Sequence, residues 1–290
     1  GGTEIAYISS CYYLMSTEIV AKAAKILGYE EEAANYGRRG KEIRKAIYRE
    51  YFTPTGRLAM QNQTAYALAL HCKLAPEDQL KRVAKDFHNR MKKDNGYLKT
   101  GFVGTPLLCR MLSDYGYNEM AYKLLLNEEM PSWLYCVNLD ATTIWERWNS
   151  VMPDGSMNPE GMNSLNHYAY GSIVEWMYRN VAGINQQSPG FKRVRIAPMP
   201  DERIDWVKAH YNSTLGKVTS NWKHIEGGIE YFISIPFEMT GMIELQVDKK
   251  DKILVNGKSI EETNLTYSID ERILRIEIQT GDYQIKNLLL

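Results

Sequence analysis

Pro189-Gly190-Phe191-Lys192-Arg193-Val194-Arg195-Ile196 is the stretch at which the texture of this chain changes. Before it, apolar residues recur at steps of three and four; after it, they alternate with polar ones. The first period lays a stripe along a helix, and the second turns one face of a strand into a core. Val194-Arg195-Ile196, Val207-Lys208-Ala209-His210-Tyr211, Ile229-Glu230-Tyr231-Phe232-Ile233, Ile243-Glu244-Leu245-Gln246-Val247 and Leu274-Arg275-Ile276-Glu277-Ile278 all read as strands. Gly227-Gly228 and Asn256-Gly257 supply tight turns, so residues 190–290 are expected to form an antiparallel β-sandwich.

Upstream, Ile5, Ile8, Tyr12, Met15, Ile19, Ala23 and Ile26 define a helix with one buried stripe, ended by Gly28. Tyr36, Gly40, Ile43, Ile47 and Tyr51 repeat the pattern before the breaker Pro54-Thr55-Gly56, and a shorter third helix runs from about Thr64 to Leu74. Pro76 opens a fourth, with Leu80, Val83, Phe87 and Met91 inward and Asp94-Asn95-Gly96 closing it. Thr105-Pro106 caps and starts a fifth, and Asn118 begins a sixth. A seventh is predicted from about Asn163 to Ala182, closed by Gly183, with His167 in its first turn or two. Helix follows helix through short links, which argues for an all-α toroid or bundle over residues 1–189 and against a βαβ sheet.

Residues 128–161 break this rhythm. They hold Trp133, Trp145, Trp148, Pro131, Pro153 and Pro159 without a sustained helical period, and long connections inside a compact domain are usually functional. Within them Thr142-Thr143-Ile144-Trp145-Glu146-Arg147-Trp148 places one carboxylate between two indoles. Indole faces stack on the C–H faces of a sugar ring, and a carboxylate in such a cleft accepts a proton in glycoside hydrolysis. The plainer reading of Glu146 is a solvated loop acid paired with Arg147, the guanidinium that would balance its charge in a cleft. Trp145 and Trp148 either wall a sugar together or anchor the loop, and one of each is expected; Trp133, Tyr135, Tyr66 and Phe102 are further candidates for the wall. Glu160, placed before Gly161 at a helix start, and Glu175 read as ordinary surface acids.

Composition narrows the classes. Lysine plus arginine equals aspartate plus glutamate at 35 each, so no net basic field exists to hold a phosphate backbone, and nucleic acid is not expected as a partner. No apolar run reaches the ~18 residues that would span a membrane. Cys11, Cys72, Cys109 and Cys136 fall singly in apolar surroundings and read as buried free thiols. The charged runs Arg38-Arg39 and Asp248-Lys249-Lys250-Asp251-Lys252 read as surface. The chain opens without an initiator methionine and enters a helix within a few residues, as an internal fragment would.

The Thr142–Trp148 segment and Ser164-Leu165-Asn166-His167-Tyr168-Ala169-Tyr170-Gly171 resemble the inverting α-L-rhamnosidases of glycoside hydrolase family 78, whose general base lies in a TTxWERW-type segment followed by SLNHYAxG. The resemblance extends through Thr100-Gly101-Phe102-Val103-Gly104-Thr105-Pro106 upstream and through Gly190-Phe191-Lys192-Arg193-Val194 and Ser220-Asn221-Trp222-Lys223 downstream. It implies the later part of a twelve-helix (α/α)6 barrel followed by a β-sandwich, with Glu146 as general base and a general acid in an upstream DxxxRxE-type segment that this sequence lacks. It implies further that His167 hydrogen-bonds a sugar hydroxyl, where a core histidine is the bland alternative. Asn166 is then a helix-terminus group or one supporting the site from behind. Asp140 departs from the family pattern, which has glycine there; it would either crowd the water site or cap a structural element. No cofactor is required. The implied partner is a rhamnose-containing glycan or glycoside, and a half toroid with bare inner stripes would self-associate or bind its other half. The rival readings are another glycosidase or lyase on the same toroid and a carbohydrate-binding protein without catalysis.

Overall fold

The structure, a computed structural model, describes residues 2–248 and 250–289; Lys249 of the charged run lies outside them. The chain folds as two compact units, Gly1–Ile173 and Val174–Leu290.

The first unit is helical: α1 (Ile5–Ile26), α2 (Glu30–Tyr51), α3 (Gln63–His71), α4 (Glu77–Lys93), α5 (Thr105–Asp114), α6 (Asn118–Leu125) and α7 (Trp133–Asn138). Gly28, at φ +81°, turns α1 into α2, with the Tyr29 N–H closing onto the Ala24 carbonyl. On α4 the expected stripe Leu80, Val83, Phe87 and Met91 is buried. On α1 the expected stripe is the wrong one. Tyr7, Cys11 and Leu14 face the core, with the Tyr7 hydroxyl donating to the Ala65 carbonyl at 2.9 Å, while Ile5, Ile19 and Ile26 are exposed by 80, 65 and 84%. The helix is apolar on two faces, and the face that pairs with α2 and α3 is the less aliphatic one. All four cysteines are buried free thiols.

Helix α3 is buried from Gln63 to Leu70, so its polar first residue must find partners inside. The Gln63 amide donates to Asp94 at 3.0 Å and to the Tyr97 carbonyl at 2.8 Å, and accepts from the Lys99 N–H at 2.9 Å. This ties down the turn that leads into Thr100-Gly101-Phe102. The Asp94 carboxylate, with its side chain 2% exposed, is held by Arg90 at 2.6 Å and Lys99 at 3.0 Å.

The second unit carries two sheets. One, ordered β1 (Ile184–Gln186), β2 (Arg193–Ile196), β6 (Thr240–Gln246), β10 (Ile273–Ile278), β9 (Tyr267–Asp270), is antiparallel except where β2 runs parallel to β6. The other is ordered β3 (Trp206–Ser213), β4 (Gly216–Ile225), β5 (Gly228–Ile235), β11 (Gly281–Leu288), β7 (Lys252–Val255), β8 (Lys258–Ser259). The five expected strands are all present, and β2, β4, β5, β6 and β10 bury alternate residues in the manner expected of a sandwich, while β3 and β9, at the ends of their sheets, bury none. Asn256 and Gly257 both have positive φ, the signature of a tight hairpin turn. Gly183, at φ +79°, lies so close to the chain at Pro198 that a Cβ would stand 2.1 Å from the Pro198 nitrogen.

Burial alone would raise the Asp94 pKa; hydrogen bonds from Arg90, Lys99 and Gln63 outweigh it and hold the group down to about 2. A carboxyl depressed in the folded state stabilises above its unfolded pKa of about 4, and that contribution is lost as pH falls toward the folded value. Asp94→Asn is therefore expected to cost about 2 kcal/mol at neutral pH and to flatten the loss of stability between about pH 4 and pH 2, as read by urea unfolding across that range.

Candidate active site

The long connection after α6 is more ordered than its sequence suggests. Ser132 caps α7, its hydroxyl accepting the Tyr135 N–H at 3.0 Å, and α7 ends in a double closure: Asp140 N–H to the Val137 carbonyl at 2.9 Å and Ala141 N–H to the Cys136 carbonyl at 3.1 Å. Asp140 takes φ +58° to make this turn. That conformation is the physical reason glycine suits the position; the Asp140 side chain is exposed.

The chain then runs antiparallel to residues 164–167. The Glu146 N–H donates to the Ser164 carbonyl at 2.9 Å and the His167 N–H to the Ile144 carbonyl at 2.8 Å, while the Thr143 hydroxyl bonds the Leu165 carbonyl. This pairing overturns the helix expected from Asn163. Residues 164–167 use their backbone groups across the loop, and helical structure begins at Ala169–Ser172, a 3-10 turn, continuing as Ile173–Trp176 and a π-helical turn Met177–Val181. Asn166 therefore stands at no helix terminus; its side chain is exposed on the paired segment.

The half-buried Glu146 carboxylate accepts the Ser164 N–H at 3.2 Å. Arg147 does not pair with it: the guanidinium meets Glu160 at 2.6 Å and the Gly161 carbonyl at 3.2 Å, so Glu160 is a tether for the loop, not a helix-start acid. His167 accepts the Ala169 N–H on Nδ1 at 3.3 Å. Its neutral form then carries the proton on Nε2, which makes no hydrogen bond among the described residues and can donate outward. Phe102 stacks on the imidazole with centroids 4.8 Å apart.

The indoles gather on one side. Trp148 stacks on Tyr170 at 3.9 Å, Trp133 meets Trp148 edge-on at 5.2 Å, and the Trp133 N–H donates to the Tyr170 carbonyl at 2.9 Å. With Trp145, which is buried, these rings line a pocket of about 210 Å³ whose rim includes Thr142 and Thr143. Pockets for drug-sized ligands run to roughly 300–1,000 Å³, so this smaller volume suits a single sugar ring. Glu146 and His167 do not line that pocket; they belong to the paired segments beside it. Tyr135 lies outside its wall, and Tyr66 lines a different pocket with Arg57 and Arg90. Tyr170 and Ser164 were not singled out from sequence, although both stand in the Ser164–Gly171 run.

Residues 1–181 match the bacterial alpha-L-rhamnosidase 6 hairpin glycosidase domain, and residues 183–259 match the bacterial alpha-L-rhamnosidase C-terminal domain. The chain belongs to the bacterial α-L-rhamnosidase family. An α-L-rhamnosidase of Formosa agariphila is 35% identical over 99% of this chain, and one of Streptomyces avermitilis is 36% identical over 85%. Among solved structures, the Streptomyces avermitilis α-L-rhamnosidase complexed with L-rhamnose superposes with a TM-score of 0.88 at 33% identity over 97% of this chain and 26% of that one. An α-L-rhamnosidase from Dictyoglumus thermophilum gives 0.87 at 28% identity over 96% of this chain and 31% of that one. The chain spans 31% and 24% of the length of the two curated relatives.

In this rhamnosidase-family loop, Asp140→Gly removes a side chain from a left-handed backbone position without touching the carboxylate site. Thermal or urea unfolding should show a gain of about 0.5–1 kcal/mol. A loss of stability would show that the Asp140 side chain holds the turn through contacts of its own.

Proposed function

We propose that this chain is the base-bearing part of an inverting α-L-rhamnosidase that releases terminal α-L-rhamnose. The observation that carries the reading is the Glu146 carboxylate, half-buried and oriented by the Ser164 N–H, on a segment whose partner carries the His167–Phe102 stack and whose own Trp145 and Trp148 line the aromatic pocket. Inversion needs an ionised carboxylate that takes a proton from water as the water attacks the anomeric carbon, while a second, protonated acid roughly 6.5–9.5 Å away serves the leaving oxygen. Glu146 is the first of these. The general acid is contributed by sequence outside these residues, in keeping with the chain's span of about a third of its relatives' length. His167 Nε2 donates to a sugar hydroxyl, and the indoles present apolar surface to the C5 methyl, a contact worth about 1–3 kcal/mol against a hydroxymethyl competitor. Arg147 and Asn166 act on the site through the loop: Arg147 by fastening it to Glu160, Asn166 by its place on the segment paired with Glu146. The exposed stripe Ile5–Ile19–Ile26 of α1 is the surface against which the rest of such an enzyme, or a second copy of this chain, packs.

In an intact enzyme carrying this chain, Glu146→Gln should lower kcat on p-nitrophenyl α-L-rhamnoside by about 10²–10⁴ while leaving KM within a few-fold. NMR of the first-formed sugar should show the β-anomer. Retained activity sinks the assignment of Glu146, and an α-anomeric first product sinks inversion. The 290 residues alone are expected to turn over this substrate at least about 10²-fold more slowly than the intact enzyme, since a general acid is typically worth that much.

A further inference from the structure

Trp206 is unlike the other tryptophans. Trp133, Trp145, Trp176 and Trp222 are at most 7% exposed and Trp148 is half-buried, whereas Trp206 presents 59% of its surface to solvent on the edge strand β3. Its neighbours on the outer face of the six-stranded sheet fall in two cross-strand rows. One is Trp206, Lys223, Glu230 and Lys286; the next is Lys208, Asn221, Phe232 and Gln284. Phe232 is itself 41% exposed. Two strand spacings across and two residues along separate the indole from the phenyl ring, roughly 12 Å, and the face between them forms an open groove of about 450 Å³.

The polar groups of this groove are arranged as a recognition surface. Glu230 is the hub, bonded by Lys223 at 2.8 Å, Lys286 at 3.4 Å and the Gln284 amide at 2.8 Å, so its charge is already answered. Asn221 accepts the Ala209 N–H at 3.1 Å, and its NH2 has no partner among the described residues. Lys208 holds its ammonium 5.4 Å from the centroid of the Trp206 ring, and no carboxylate lies within ion-pair distance of it among the described residues, although Asp205 also lines the groove. Two aromatic faces about two sugar rings apart, an amide donor and one unanswered cation beside the larger ring suit a chain with apolar C–H faces, hydroxyls and a carboxylate. A flat protein partner would need a far larger apolar core than these two rings provide.

We propose that the outer face of the β3–β4–β5–β11 sheet binds a uronate-bearing oligosaccharide, with Trp206 and Phe232 stacking on alternate rings, the first and third of a trimer, and Lys208 pairing with the carboxylate. The inference rests on the sheet face alone and is independent of the role given to Glu146.

The test is titration of the 290-residue chain with trigalacturonate and, as the neutral counterpart, maltotriose, read by isothermal calorimetry and tryptophan emission. The expected result is tighter binding of trigalacturonate, with a change in emission. Trp206→Ala should weaken it by about tenfold or more, in line with the worth of one aromatic contact. Lys208→Ala should erase the preference for the acid, and Glu146→Gln should leave the titration unchanged. Phe232→Ala gives a second reading of the stacking platform if the Trp206 variant does not fold. The proposal is overturned by absence of binding at millimolar sugar, by equal affinity for the acidic and neutral trimers, by binding that survives loss of either ring, or by binding lost with Glu146→Gln.

Discussion

Two backbone hydrogen bonds, Glu146 N–H to the Ser164 carbonyl and His167 N–H to the Ile144 carbonyl, organise everything chemical in the helical unit. They bring together segments separated by some twenty residues and fix which side chains point to which side. With this register the Glu146 carboxylate meets the Ser164 N–H and the imidazole meets Phe102, while Trp145 turns into the buried pocket. A slip of one residue would exchange these faces, because successive side chains of an extended segment point to opposite sides. The register is secured from both ends: the tight closure of α7 at Asp140 sets where the first segment starts, and the Arg147–Glu160 pair with the Ser150 hydroxyl, which accepts the Arg147 N–H, sets where it stops.

That pairing is also why the sequence misled at Asn163. Ser164-Leu165-Asn166-His167 has nothing that forbids a helix, and the apolar spacing onward to Ala182 invites one. A helix there would have to satisfy its own backbone groups, and the loop offers the same groups a partner that also positions a carboxylate. Local propensity lost to a contact about twenty residues away, which no periodic pattern records. The short helix α7 escaped for the opposite reason: six residues are too few to show a period, and its only signal is Ser132 at the cap. On α1 the period was legible and the facing was not, because Ile5, Ile19 and Ile26 outrank Tyr7, Cys11 and Leu14 in hydrophobicity while the latter make the contacts.

The strands divide along similar lines. Those read from sequence, such as β6 and β10, alternate aliphatic with charged residues, with Ile243 and Ile276 fully buried. Strands β4 and β11 were missed because each buries a polar residue that breaks the alternation. Ser220 points inward and donates to the Ala182 carbonyl at 2.6 Å; Asn287 does the same toward the Gln246 carbonyl at 3.2 Å. A buried polar side chain is tolerated only with a partner, and the partner lies far along the chain in both cases. Trp222, next but one to Ser220, uses its indole N–H in the same way on the Val181 carbonyl at 2.8 Å.

Of the candidate site, the residue types were legible and their grouping was not. The two indoles flanking Glu146 in sequence suggest a shared cleft, yet an extended segment with a turn after it sends Trp145 and Trp148 into one pocket and the acid to its border. The consequence is a division of labour. In the function proposed, the apolar pocket of single-ring size grips the methyl-bearing sugar, while the half-buried acid and imidazole stand outside it on the paired segments. An acid inside the aromatic pocket would have to be desolvated without a cation to answer it, since Arg147 is committed to Glu160. Placing it at the edge, with one N–H oriented on it, keeps lone pairs free for the solvent molecule it is proposed to activate.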